Sequence, residues 1–130
     1  LHDALPISLD NKGDNVIYLY NDVIVSKISV INKFYEIRKS EEQLQWAKQT
    51  CEEYALKYSI DEYPIYHADF CNNLADLYMS LSKINDRDTN LKKAVEYFDE
   101  ALKTYKDDEY PIVYQEIVHK KNIAENRVDE

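Results

Sequence analysis

One glycine and three prolines in 130 residues leave too little turn chemistry for a many-stranded β fold. Cysteine is scarce as well. Cys51 and Cys71 form no CxxC pair and no dense disulfide framework, and each sits inside a helical pattern, so both are expected as free buried thiols. Long apolar runs are missing: the longest, Val16 to Tyr20, falls far short of the roughly 20 residues that span a bilayer. No order of basic, apolar and small residues marks a secretory signal, which makes the cytoplasm the expected compartment. Positive charge is also in deficit, with 25 acidic against 16 basic residues and a net charge of -9. Such a surface repels phosphate backbones and anionic headgroups, so neither nucleic acid nor membrane is an expected partner. What the chain does have is 45% hydrophobic and 32% charged residues, a balance that favours helices and suits one domain or a few small repeats.

The first residues, Leu1-His2-Asp3-Ala4-Leu5-Pro6-Ile7, resemble an in-frame translation of the end of a common short-read sequencing adapter, CTA CAC GAC GCT CTT CCG ATC. Residues 1 to about 8 are therefore set aside from the fold argument, within a leader of residues 1–13. On that reading the natural protein continues upstream.

An internal repeat organises the rest. Asp61-Glu62-Tyr63-Pro64-Ile65 recurs unchanged as Asp108-Glu109-Tyr110-Pro111-Ile112, a shift of 47 residues. The same shift superposes Ala47 on Ala94, Glu53 on Glu100, Tyr58 on Tyr105, Ile37 on Ile84 and Leu44 on Leu91. These pairs fall on different parts of the unit, so the match is more than one short shared motif.

Within the unit, Leu91, Ala94, Val95, Phe98, Ala101, Leu102 and Tyr105 keep the three-and-four spacing of one buried helix face. This is the second helix of a pair, helix B. Its counterpart one period earlier opens with Ser40-Glu41-Glu42-Gln43, the pattern of a capping box. The first helix, helix A, runs from about Pro64 to Asn85 and carries two stripes: Cys71, Leu74, Ala75, Tyr78 and Leu81, then Tyr63, Phe70, Leu77 and Ile84. Two stripes predict packing on two sides. Pro64 falls in the first turn, where its missing N–H costs nothing, and Asp61 and Glu62 favour the positive end of the helix. The Val, Ile and Tyr content of Val16 to Ile31 alone suggests strands. Shifting back by 47 places the second stripe on Val16, Val23, Val30 and Ile37, and the first on Ile24, Ile28 and Ile31. The segment is thus expected to be a long helix A whose poor propensity is rescued by packing.

The run Asn73-Leu74-Ala75-Asp76-Leu77-Tyr78, followed by Leu91-Lys92-Lys93-Ala94-Val95-Glu96-Tyr97-Phe98-Asp99-Glu100-Ala101-Leu102, resembles the tetratricopeptide repeat signature. Ala75, Ala94 and Ala101 stand where the family places small residues at close helix crossings; Leu74, Tyr78 and Phe98 occupy its large apolar positions. The acidic-aromatic-proline junction looks like the long-helix bacterial and archaeal variant. Ala75 and Ile28 stand where a glycine is usual, and the period exceeds the usual 34 or so. The resemblance implies an all-α, right-handed α-solenoid of about five helices in antiparallel pairs, with repeats over residues 14–60 and 61–107 and a half repeat over 108–130.

It also implies a concave groove, lined by helices A, that accepts a peptide or a partner's helix. Carried over by position, the groove-facing residues are Asp22, Val25, Ser29, Asn32 and Lys33 in the first repeat and Asp69, Asn72, Asp76, Met79 and Ser80 in the second. That lining is mildly acidic and amide-rich, so a basic or polar segment is the expected partner. The Lys and Asn clamp that some family members use for a terminal carboxylate is not present at these positions, and chaperone-tail recognition is not expected.

Other chemistry is poorly served. His67 and Cys71 lie one helical turn apart and Cys51 could approach them, yet zinc needs about four ligands, and a core thiol beside a boundary histidine accounts for the pair. The tyrosines recur at equivalent positions, which argues packing. Asp86, Asp88 and Asn90 lack the glycine and closing glutamate of a calcium loop and read as a capped connection between helices. No glycine-rich phosphate loop or nucleophile elbow occurs, and no acid–base pair is singled out by spacing. The expectation is a protein-binding module without catalysis, cofactor or metal. Two alternatives stand beside it: the regulatory or sensor arm of a larger enzyme, such as a protease or signalling kinase, and a repeat segment that self-associates through its open ends.

Overall fold

The computed structural model describes the backbone of residues 14–38 and 41–130, and the side chains of 21–33 and 41–130. The described residues form five helices and no strand: α1 (Asp14–Arg38), α2 (Glu41–Lys57), α3 (Pro64–Leu81), α4 (Arg87–Leu102) and α5 (Pro111–Val128). The leader and Ser40 of the expected capping box lie outside the described residues, as do the side chains of Val16 and Ile37.

The Val- and Ile-rich segment is helical throughout, and packing explains it: Ile24 and Ile28 are buried in the common core. Helix α3 lies at the centre, packed on α2 and α4, while α1 contacts α2 and α3, and α5 packs on α4. Its first stripe is fully inside, with Cys71, Leu74, Ala75, Tyr78 and Leu81 all buried. The second stripe is buried only at Phe70 and Leu77. Ile84, expected in that stripe, is 38% exposed because α3 ends at Leu81 and the chain turns away. Val30, the repeat counterpart of Leu77, is 46% exposed, since among the described residues no helix packs on α1 on the side where α2 covers α3.

The repeated pentapeptide builds the same junction twice. Tyr63 and Tyr110 precede their helices with φ/ψ of -135°/63° and -135°/62°, followed by Pro64 and Pro111 in the first turn. A residue before proline is pushed out of helical geometry, and proline has no N–H to leave unpaired there. Tyr58 meets Tyr63 edge-on with ring centroids 5.2 Å apart, and Tyr105 meets Tyr110 edge-on at 5.1 Å. These four tyrosines thus pack the two junctions. Small residues allow the close crossings, with Ala47, Ala68, Ala75, Ala94 and Ala101 all at zero exposure.

The connection before α4 departs from the expected cap. Asp86 occupies the N-cap position in left-handed geometry (φ 42°) with no side-chain cap bond. Short polar residues tolerate that geometry better than others. The turn is held instead by Asn90 Nδ2, which donates to Asn85 O at 2.9 Å, and by Asn85 Nδ2, which donates to Glu41 Oε1 at 3.0 Å.

Helix α5 keeps only one of the two stripes. Ile117 and Ala124 are buried at the positions of Phe70 and Leu77, whereas Lys121, Asn122 and Glu125 stand where α3 has Leu74, Ala75 and Tyr78. Lys121 Nζ pairs with Asp99 of α4 at 2.6 Å.

Candidate partner-binding groove

Contacts between α1 and α3, and between α3 and α5, fall near the repeat register. Ser29 Oγ donates to Asn73 Oδ1 at 3.1 Å, and Asn32 Nδ2 to Asn73 O at 3.5 Å. Lys120 Nζ donates to Asn72 Oδ1 at 2.9 Å and to Asp76 Oδ2 at 3.1 Å. The separations in these bonds run from 41 to 48 residues, so like ends of the three helices lie together and α1, α3 and α5 are parallel. Together they present one surface with a hollow at each end.

The hollow at the N-terminal end, of about 340 Å³, brings Asp22 of α1 to Asp69 of α3, with Glu62, Tyr63, Pro64, Ile65 and Tyr66 completing the wall. Asp69 accepts a hydrogen bond from the Tyr105 hydroxyl. Burial raises its pKa above the usual carboxylate value, opposed by that hydrogen bond and reinforced by the negative charge of Asp22. The hollow at the other end, of about 330 Å³, gathers Asn32 and Lys33 of α1, Asp76, Met79 and Ser80 of α3, Lys83 beyond it, and Ile123 and Arg127 of α5. Burial raises the pKa of Asp76 too, against the lowering effect of Lys120.

Nine of the ten expected groove residues are at least partly open: Asp22 and Lys33 are exposed, and Val25, Ser29, Asn32, Asp69, Asn72, Asp76 and Met79 are half-buried. Ser80 is buried and contributes only to the floor. The structure brings Asp22 to Asp69, and Asn32 and Lys33 to Asp76, Met79 and Ser80. The charge is unevenly spread, with Asp22 and Asp69 at one end and Lys33, Lys83 and Arg127 at the other. Further contributors were not foreseen: Glu62, Tyr63, Pro64, Ile65 and Tyr66 line one hollow and Lys83 the other. Asn73 is buried between the helices, and Lys120, Ile123 and Arg127 come from α5. The repeat shift carries Lys33 to Ser80 and then to Arg127, and Ser29 to Asp76 and then to Ile123, so the same register extended by one more period would have found two of them.

A third hollow, of about 350 Å³, opens between α2 and α4 above His67 and Cys71, with Glu52, Glu96 and Glu100 on its walls. His67 Nδ1 donates to the carbonyls of Ala55 (2.9 Å) and Tyr58 (3.0 Å), which the end of α2 leaves without helical partners. Its Nε2 lies 3.2 Å from Glu100 Oε1 and 3.6 Å from Cys71 Sγ. The imidazole therefore ties three helices together. Hydrogen bonding from Lys103 and His67 lowers the pKa of Glu100 against its partial burial. Burial pushes the Cys71 thiol up to about 12 and the Cys51 thiol further still, so neither is a ready nucleophile. Among the described residues no group of three or more His, Cys, Asp or Glu is arranged to hold a metal ion, and no helix is long and apolar enough to cross a membrane.

No protein-family model matches this chain, and no curated protein or solved structure does either.

Proposed function

We propose that the chain is a tetratricopeptide-type helical-repeat segment, its helix pairs stacked as a right-handed solenoid, that binds a segment of another protein along α1, α3 and α5 and catalyses nothing itself. The observation that carries this reading is the parallel surface at the repeat register, hollowed at both ends and floored by polar side chains that bond one helix to the next. Polar groups at the floor of an open concavity suit recognition, because they can exchange water for a partner's backbone and side chains. A cytoplasmic setting belongs to the same reading.

Selection of a displayed random-peptide library against the protein, followed by amide chemical-shift mapping with a selected peptide, tests it. Perturbations should gather on Val25, Asn72 and Met79. A map confined to the outer face of α2, around Trp46 and Leu56, would remove the groove from the account.

One observation favours a second reading, self-association through the outer side of α1. Val30 is exposed and Val23 half-buried where their counterparts Leu77 and Phe70 are covered by α2. Sedimentation that stays monomeric across about a hundredfold range of concentration would dismiss it.

A further inference from the structure

The geometry points to a partner segment of defined charge polarity: an extended stretch of protein that places a lysine or arginine in the hollow at Asp22 and Asp69 and, about five or six residues away, an acidic side chain in the hollow at Lys33 and Arg127. This inference rests on the proposed binding function and sharpens it, since it names the chemistry of the occupant.

The two hollows lie on the same face. On α3, Asp69 and Asp76 are seven residues, two helical turns, apart, Lys83 follows seven residues further on just past the end of the helix, and on α1 Asp22 and Lys33 are three turns apart. At 1.5 Å per residue these spans are roughly 17–21 Å, the length of five or six extended residues at about 3.3 Å each. Helix dipoles favour Glu62 just before α3 and Arg127 in the last turn of α5, but they do not explain Asp22, Asp69 or Lys33. Asp22 lies beyond the second turn of α1, Asp69 beyond the first turn of α3, and Lys33 before the last turn of α1, while dipole effects fade within one turn.

Each end has the composition its occupant would need. At the acidic end, tyrosine rings and Pro64 stand beside the carboxylates, so a long cationic side chain can lay its alkyl stem on the rings and its head between Asp22 and Asp69. At the other end the single carboxylate, Asp76, is already paired with Lys120 at 3.1 Å, and among the described residues neither Lys33 nor Arg127 has a carboxylate partner. A cationic recess on a protein of net charge -9 is the local exception, and opposite charge is what it would attract. Between the ends, Ser29 and Asn72 offer hydrogen-bonding groups to an extended backbone, and Asn32 does so within the basic hollow.

The test uses the full 130-residue chain and capped ten-residue peptides with randomised centres, carrying Arg and Glu six positions apart in either order, or Gln at both places. One of the two charged orders should bind at least about tenfold tighter than the Gln peptides and lose that margin as salt rises to about 0.5 M. Asp22→Lys together with Lys33→Glu, both exposed sites, should leave the circular dichroism spectrum unchanged and reverse which order binds better. If Gln peptides bind the groove as tightly as charged ones, or the double reversal leaves the preferred order unchanged, the polarity claim is overturned while groove binding stands. If no peptide perturbs α1, α3 or α5, both the polarity claim and the groove are lost.

Discussion

Asp69 illustrates how a groove residue is bound into the fold. Its carboxylate accepts from Tyr105, just past α4 of the same repeat, while one side remains open to the hollow shared with Asp22. The fold raises its pKa, so its contribution to stability is complete below the ordinary value of 3.8 and is lost as pH rises through the folded value. At neutral pH the ionised group is therefore a net cost that Asp69→Asn should remove, because an amide oxygen can still accept from Tyr105. Thermal melts should show the variant higher by about 3 °C at pH 7 and level with the parent near pH 3. A lower Tm at pH 7 would mean that the hydrogen bond outweighs the burial of the charge. Asp69 was legible in the sequence as a partly open position on the face that α3 shares with α1. Its bond to Tyr105 was not, since Tyr105 follows the end of α4 and two residues 36 apart meet there only when α3 and α4 pack.

At the scale of the element, α1 is where local propensity and repeat register disagreed, and the register was the better guide. Ile24, Ile28 and Ile31 lose side-chain freedom in a helix, but two of them are fully inside the core, and burying each contributes roughly 1.5–3 kcal/mol. The helix should consequently exist only in the company of α2 and α3. A peptide of residues 14–38 should show little helix by circular dichroism in water; a strongly helical peptide would place the origin of α1 in its own sequence. Other elements were readable because their signals are local: the proline junctions fix where α3 and α5 start, and the alanine positions fix where helices cross. Unreadable was what covers each stripe. Val30 and Leu77 occupy the same place in the repeat, yet among the described residues a helix covers Leu77 and none covers Val30, and a periodic pattern cannot report which of its positions is covered. The basic recess escaped for a related reason. It draws one cation from α1, one from beyond α3 and one from α5, so no single helix face displays it.

Across the whole molecule, the core between α2, α3 and α4 concentrates groups that the fold keeps protonated. Burial pushes Cys71 and Tyr78 up to about 12, and raises Cys51, Tyr97 and Tyr105 as well. Each such group ionises more readily in the unfolded chain, from about 9.0 for the thiols and 10.0 for the phenols, so the stability it contributes is intact below those values and is lost as pH rises toward the folded pKa. Acid–base effects should thus be asymmetric, with a shallow response on the acid side, where raised Asp69 and Asp76 oppose lowered Glu100, and a steep alkaline fall. The two buried thiols alone supply a slope on the order of 1.4 kcal/mol per pH unit each once pH exceeds 9. Urea unfolding at pH 7, 9, 10 and 11 measures this directly. The parent should lose stability progressively above pH 9, and Cys51→Ala with Cys71→Ala should begin lower at pH 7, through two small cavities, yet fall less steeply. Parallel curves for parent and variant would show that alkaline unfolding is driven by general charge repulsion on a chain already at -9, and that the buried thiols are spectators.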